Sequence, residues 1–187
     1  MAVLRYDGGM ISKLTMMHAL LAVGALGSIY LAVREVQRRY ISQWRLLAPP
    51  ILGLGVALGL AIIQIAARQP AWPFIAVLLA GLAAGGVRGT LMRIGHDMYR
   101  PIVAVSRPAK LVLVWVALAV GGALAVEIAA ANMNPRPETV RYGAALVAML
   151  CAAAMQGRAL ALAVRLQRHF LPLQKRQTSH RSNRRKP

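Results

Sequence analysis

The chain has 187 residues, 58% of them hydrophobic and only 5% aromatic, with a formal net charge of +18. That apolar share is well above the roughly 45 to 50% of soluble domains, and the mean hydropathy is +0.53, so an ordinary water-soluble domain is excluded and a membrane protein is expected. The basic excess alone would fit nucleic-acid binding, but the cations interleave with lipid-length apolar runs, which makes anionic headgroups the expected partner and disfavours nucleic acid.

A hydrocarbon core needs roughly 20 helical residues, and five runs have that length: residues 15–33, 48–67, 72–90, 111–131 and 140–162. They are continuously apolar rather than alternating, which argues against barrel strands. The first run is too long for a typical signal-peptide core and ends in "REVQRR" without a small-residue cleavage site, so a retained helix is expected. It holds Met16, Met17 and His18 side by side, but adjacent helical residues point about 100° apart, too far for one copper site.

After it, "REVQRRYISQWRLLAPP" places Val36, Tyr40, Trp44 and Leu47 on one helical face. Either an interfacial helix or an extension of the first span fits this pattern. Pro49, Pro50 and Pro73 fall where helices are expected to start, since a missing N–H matters little there. In the second and third runs Gly55 and Gly59, and Gly81 and Gly85, have the GxxxG spacing that lets helix backbones approach; Ala117, Gly121 and Ala125 repeat it in the fourth.

Orientation follows from the cations. Arg34, Arg38, Arg39 and Arg45 occupy the first connection and Arg88, Arg93, Arg100, Arg107 and Lys110 the third, while the last segment runs from Arg165 to Lys186. The alternate segments hold only Arg5, Lys13, Arg68, Arg136 and Arg141. The expected fold is therefore all-α: a polytopic bundle of five transmembrane helices, N-out and C-in, over residues 1–164. Residues 165–187, highly charged and without apolar periodicity, are expected to form a disordered basic cytoplasmic tail.

Polar residues inside the runs are the sharper clue, because a carboxylate near the centre of a span costs about 2.5 to 3.5 kcal/mol on insertion scales. Glu127 is the acidic residue within a span, about one turn from the outer end of the fourth; His18 and Gln64 lie at similar depth. The three predict an outer polar layer and a proton or cation site, unless Glu127 reaches outer water by itself. At the inner side Arg88 ends the third span and Arg158, with Gln156 near it, the fifth. They predict either interface anchoring or an anion- or lipid-contact pair, with Asp97 of the "GHDMYR" loop as a neutralising partner. Cys151 is the single cysteine, expected as a small buried filler. No HExxH, CxxC, Walker or nucleophile-elbow spacing appears, so neither a metal nor another cofactor is expected.

The stretch "GLAAGGVRGTLMRI", the "GHDMYR" loop and "AKLVLVWVALAV" resemble the CcdC-like small integral membrane proteins of bacteria, through Gly81, Gly85, Arg88, Gly89, Asp97, Leu113 and Trp115. The resemblance implies a helical inner-membrane protein associated with cytochrome c biogenesis, with no established catalytic residues to carry over; a single cysteine argues against direct thiol transfer. The function expected is that of a non-enzymatic accessory or assembly protein with a possible membrane-protein partner. The alternatives are a transporter or channel subunit using Glu127, and a membrane enzyme acting on a lipid or quinone at the Arg88–Arg158 end.

Overall fold

Each apolar run folds into one helix, because in lipid every backbone N–H and C=O must find its partner within the segment. A computed structural model describes residues 8–37, 43–92, 95–97, 100–104, 107–131 and 137–183, with side chains over 16–37, 46–92, 111–130 and 137–165. The elements are α1 (Gly8–Gln37), α2 (Gln43–Ala66), α3 (Trp72–Leu91), β1 (Gly95–Asp97), β2 (Arg100–Ala104), α4 (Arg107–Ala131) and α5 (Glu138–Asn183). All five helices contain a stretch long and apolar enough to span a membrane: Met16–Gln37, Leu46–Ala66, Trp72–Leu91, Leu111–Ala130 and Glu138–Arg165. The chain is an integral membrane protein by this criterion.

Helix α5 is the centre of the assembly. It packs on α2, α3 and α4, while α1 closes the far side against α2 and α4. Leu60, Val120, Ala148 and Ala152 are fully buried where these four helices converge. Helix α3 stands outside that diamond, packed on α5 and hardly touching α4. The end holding the C-termini of α1 and α3 and the N-termini of α2 and α4 is called the basic end below.

The α3–α5 contact explains why glycine recurs in α3. Gly81, Gly85 and Gly89 are all buried, and they face Leu150 to Ala161 of α5 in ascending order, so the two helices run parallel. A Cβ on Gly81 would lie 2.6 Å from the Leu150 carbonyl oxygen, and one on Gly89 would lie 2.7 Å from Ala161 Cβ. Such distances bring backbone against backbone, the arrangement small residues permit in lipid. Gly59 and Gly121 instead meet single side chains of α1, those of Leu21 and Ile29. Gly55 differs from expectation: it is exposed and a Cβ there would meet nothing. Ala125 is likewise exposed whereas Ala117 is buried. Spacing alone does not say which face of a helix turns inward.

Other details of the fold differ from, or add to, what the sequence predicts. Helix α2 starts at Gln43, so Pro49 and Pro50 lie inside it rather than at its start. Both are fully buried, and the Pro49 carbonyl accepts a hydrogen bond from Ser28 Oγ of α1 at 3.0 Å. No separate interfacial helix occupies the described part of the first connection: α1 extends to Gln37, α2 begins at Gln43, and Tyr40 lies outside the described residues. The "GHDMYR" loop carries an antiparallel hairpin, β1 pairing β2 with Gly95 opposite Ala104. Finally, α5 continues as helix to Asn183 where disorder was expected. Propagation from an already packed span is cheap, and Leu, Gln, Arg and Lys favour it, whereas an isolated segment would have to nucleate alone.

At the opposite end α2 stops in a Schellman arrangement. Gln69 N–H donates to the Gln64 carbonyl at 3.1 Å and Arg68 N–H to that of Ile65 at 2.9 Å. Arg68 occupies the left-handed position with φ 63°, where a side chain is disfavoured. Replacing Arg68→Gly is expected to raise stability by about 0.5 to 1 kcal/mol, read as a higher unfolding temperature in mild detergent; an unchanged or lower value would show that Arg68 makes a compensating contact.

Candidate functional site

Among the described residues, two polar clusters lie within the helices, one at each end of the bundle. At the end opposite the basic one, Glu127 on α4 is fully buried. Its Oε2 accepts from Gln64 Nε2 of α2 at 3.1 Å, and its Oε1 accepts from Arg141 Nε of α5 at 2.9 Å and from the same guanidinium's Nη2. Glu127 therefore does not reach water by itself, and the expected pairing with Gln64 is present. Arg141, counted in the sequence only as a weakly basic flank, is the missed member; its side chain is 13% exposed, so it enters the pair from the rim. The signal was available: an arginine one turn into the fifth helix follows a carboxylate one turn before the end of the fourth, with a short connection between. Beside it, Tyr142 donates to the Pro70 carbonyl at 3.4 Å and meets the buried Phe74 ring edge-on, centroids 5.5 Å apart. His18 is half-buried on α1, Met17 packs on the core and Met16 is exposed.

This cluster can clamp three helices. A carboxylate with both oxygens satisfied and a guanidinium in contact is stable as an ion pair in low dielectric, and removal of either partner leaves an uncompensated charge.

At the basic end a cavity of about 170 Å³ opens between α3 and α4, with α5 as its floor. Ala84 and Arg88 line one wall, Val112 and Val116 the other, and Ala154 and Arg158 the base. The cavity exists because α3 and α4 each dock on α5 while hardly meeting each other. Arg158 is 5% exposed, and its Nε and Nη2 have no hydrogen-bond partner. That is not the posture of a side chain extended to the interface as an anchor. Among the described residues, Glu35 of α1, also buried, and Arg88 are charged groups that act on it. Arg88 itself is exposed at the mouth. Asp97 has its backbone in β1, and its side chain lies outside the described residues.

Seven residues beyond Arg158, Arg165 Nη1 donates to the carbonyls of Gly89, Thr90 and Met92, at 3.1, 2.9 and 2.8 Å. A cation on the orphan carbonyls of a helix C-terminus is favourable, so Arg165 pins the last turn of α3 to α5 and fixes the cavity's rim. Sequence reasoning assigned Arg165 only to the basic tail. Cys151 is half-buried on α5 and packs against the core. Trp115, one of the residues carrying the CcdC-like resemblance, is 71% exposed on α4.

Compared with known protein families, with curated proteins and with solved structures, the chain matches none of them.

Proposed function

We propose that the chain is a non-enzymatic accessory or assembly protein of a bacterial inner membrane, N-out and C-in, with its basic end in the cytoplasm. The observation that carries this reading is the pairing of Glu127: the carboxylate that a transporter would use for a proton or cation is held by Arg141 and Gln64. A site of that kind would have to shed its arginine on every cycle. The cavity at the other end supports binding rather than catalysis, since the described side chains of its lining are two arginines among apolar residues.

The orientation rests on the cations, which crowd alternate connections as the positive-inside rule requires. The CcdC-like resemblance supports a role beside cytochrome c biogenesis, and the lone Cys151 makes it a role without thiol exchange inside this chain. A partner has a surface to meet: α3 leaves Ile75, Leu79 and Val87 exposed, and α1 leaves Leu20, Val23 and Leu26 exposed.

Photo-crosslinking in cells tests the reading, with a photoreactive residue at Leu79 or at Leu26. A discrete adduct to one membrane protein from either helix is the expected result. Adducts to lipid alone from both positions, together with Glu127-dependent proton flux by the purified chain in vesicles, would replace the accessory role with transport.

A further inference from the structure

The Arg158 cavity has a chemistry of its own. Its floor holds Arg158, a residue nineteen-twentieths buried, yet its Nε and Nη2 have no acceptor. Buried donors without partners are destabilising and are rarely left so, and a buried arginine in a membrane span pairs with something. Glu35 supplies one negative charge nearby, but Arg88 adds a second positive one at the mouth. Among the described residues, two cations against one carboxylate leave a single positive charge, the complement of one phosphodiester. The planar fork of arginine fits phosphate oxygens.

Depth and shape favour one source of that phosphate. A Cβ on Gly89, in the last turn of α3, would lie 3.3 Å from Arg158 Cα, so Arg158 stands level with the end of the third span, where the headgroups begin. The walls beside the guanidinium are apolar, built from Ala84, Val112 and Val116, and the cavity lies between α3 and α4.

We propose that the groove between α3 and α4 is a site for one anionic glycerophospholipid, its phosphodiester held by Arg158 and Arg88 and an acyl chain lying along the apolar walls. Arg158 provides the fixed donors and Arg88 closes over the phosphate from the rim. Arg165, by tying the end of α3 to α5, holds the groove open at the required width. The site goes beyond the accessory role and does not depend on it.

Native mass spectrometry of the full chain in mild detergent tests the site, with phosphatidylglycerol, phosphatidylcholine of the same acyl chains, and inorganic phosphate as probes. The expected result is a single-lipid adduct with phosphatidylglycerol that survives competition from phosphatidylcholine, with no comparable adduct or thermal stabilisation from millimolar phosphate. Because Arg158→Leu would also remove a charge that acts on the buried Glu35, the variants are Arg88→Gln and the groove-filling Val116→Trp. Arg88→Gln should weaken the adduct about tenfold, as loss of one charge-assisted contact does, and Val116→Trp should abolish it while the protein stays folded. Equal binding of the two lipids, equal stabilisation by inorganic phosphate, or wild-type binding by both folded variants would each overturn the proposal.

Discussion

Substituting Arg141→Met alone is expected to lower stability by about 3 to 5 kcal/mol, because it leaves the Glu127 carboxylate fully buried with only the Gln64 amide beside it. Glu127→Met should do less harm, since the stranded Arg141 guanidinium is partly exposed at the rim and can turn to water. The double substitution should recover most of the loss: two well-packed apolar side chains of similar volume commonly match or exceed a buried ion pair. Unfolding of the four proteins in mild detergent closes the cycle, and a coupling of more than 1 kcal/mol identifies a clamp. Additive losses would mean that the two residues are not coupled and that Glu127 stands free for proton chemistry. The cycle thus also discriminates between the two readings of this end of the molecule.

How far Glu127 could be read from sequence is instructive. Its position inside an apolar run marked it, and its depth matched that of Gln64, because α2 and α4 end within about a residue of their apolar runs. Its partner stayed hidden since Arg141 belongs by sequence to a terminus, and helix ends facing water carry arginines for many reasons. Whether a terminal cation turns outward or folds inward depends on the neighbouring helix, which no single run encodes. For Arg158 the sequence left interface anchoring and an anion or lipid contact both open, for the same reason. Near the end of an apolar stretch an arginine normally extends to the interface, but α5 is the central helix and continues beyond the bundle, so its residue 158 is enclosed by α3 and α4.

Five helices were legible because hydrophobic length is a one-dimensional property. Their ends were less so: α2 starts five residues before the run it contains, and the hairpin at Gly95–Ala104 lies in a stretch too short and polar to show alternation. Small-residue spacing announced close packing in α2, α3 and α4, yet its meaning differed from helix to helix. Gly81 and Gly85 meet backbone, Gly59 and Gly121 meet single side chains, and Gly55 meets nothing. Only the backbone contacts are rigid, and they decide where substitution is most damaging.

That difference sets up the second large effect, between two adjacent glycines of α3. A Cβ on Gly85 would collide with the carbonyl of Ala154, lying 2.7 Å from its carbon, whereas a Cβ on Gly86 would meet nothing within 4 Å. A side-chain neighbour can change rotamer, but a peptide carbonyl in the middle of α5 cannot move without shifting the helix. Gly85→Ala is therefore expected to lose about 3 kcal/mol, the upper part of the range for overpacking, and Gly85→Leu to undock α3, which has α5 as its packing partner. Gly86→Ala should instead gain up to about 1 kcal/mol, because alanine is the better helix former. Thermal unfolding separates the two. Proteolysis of the α2–α3 connection after Arg68 adds a local reading, since undocking α3 frees the turn that Tyr142 pins through Pro70. Equal effects from Gly85→Ala and Gly86→Ala would mean that α3 does not rest on α5 through its glycine face, and the walls of the α3–α4 groove would then need another explanation.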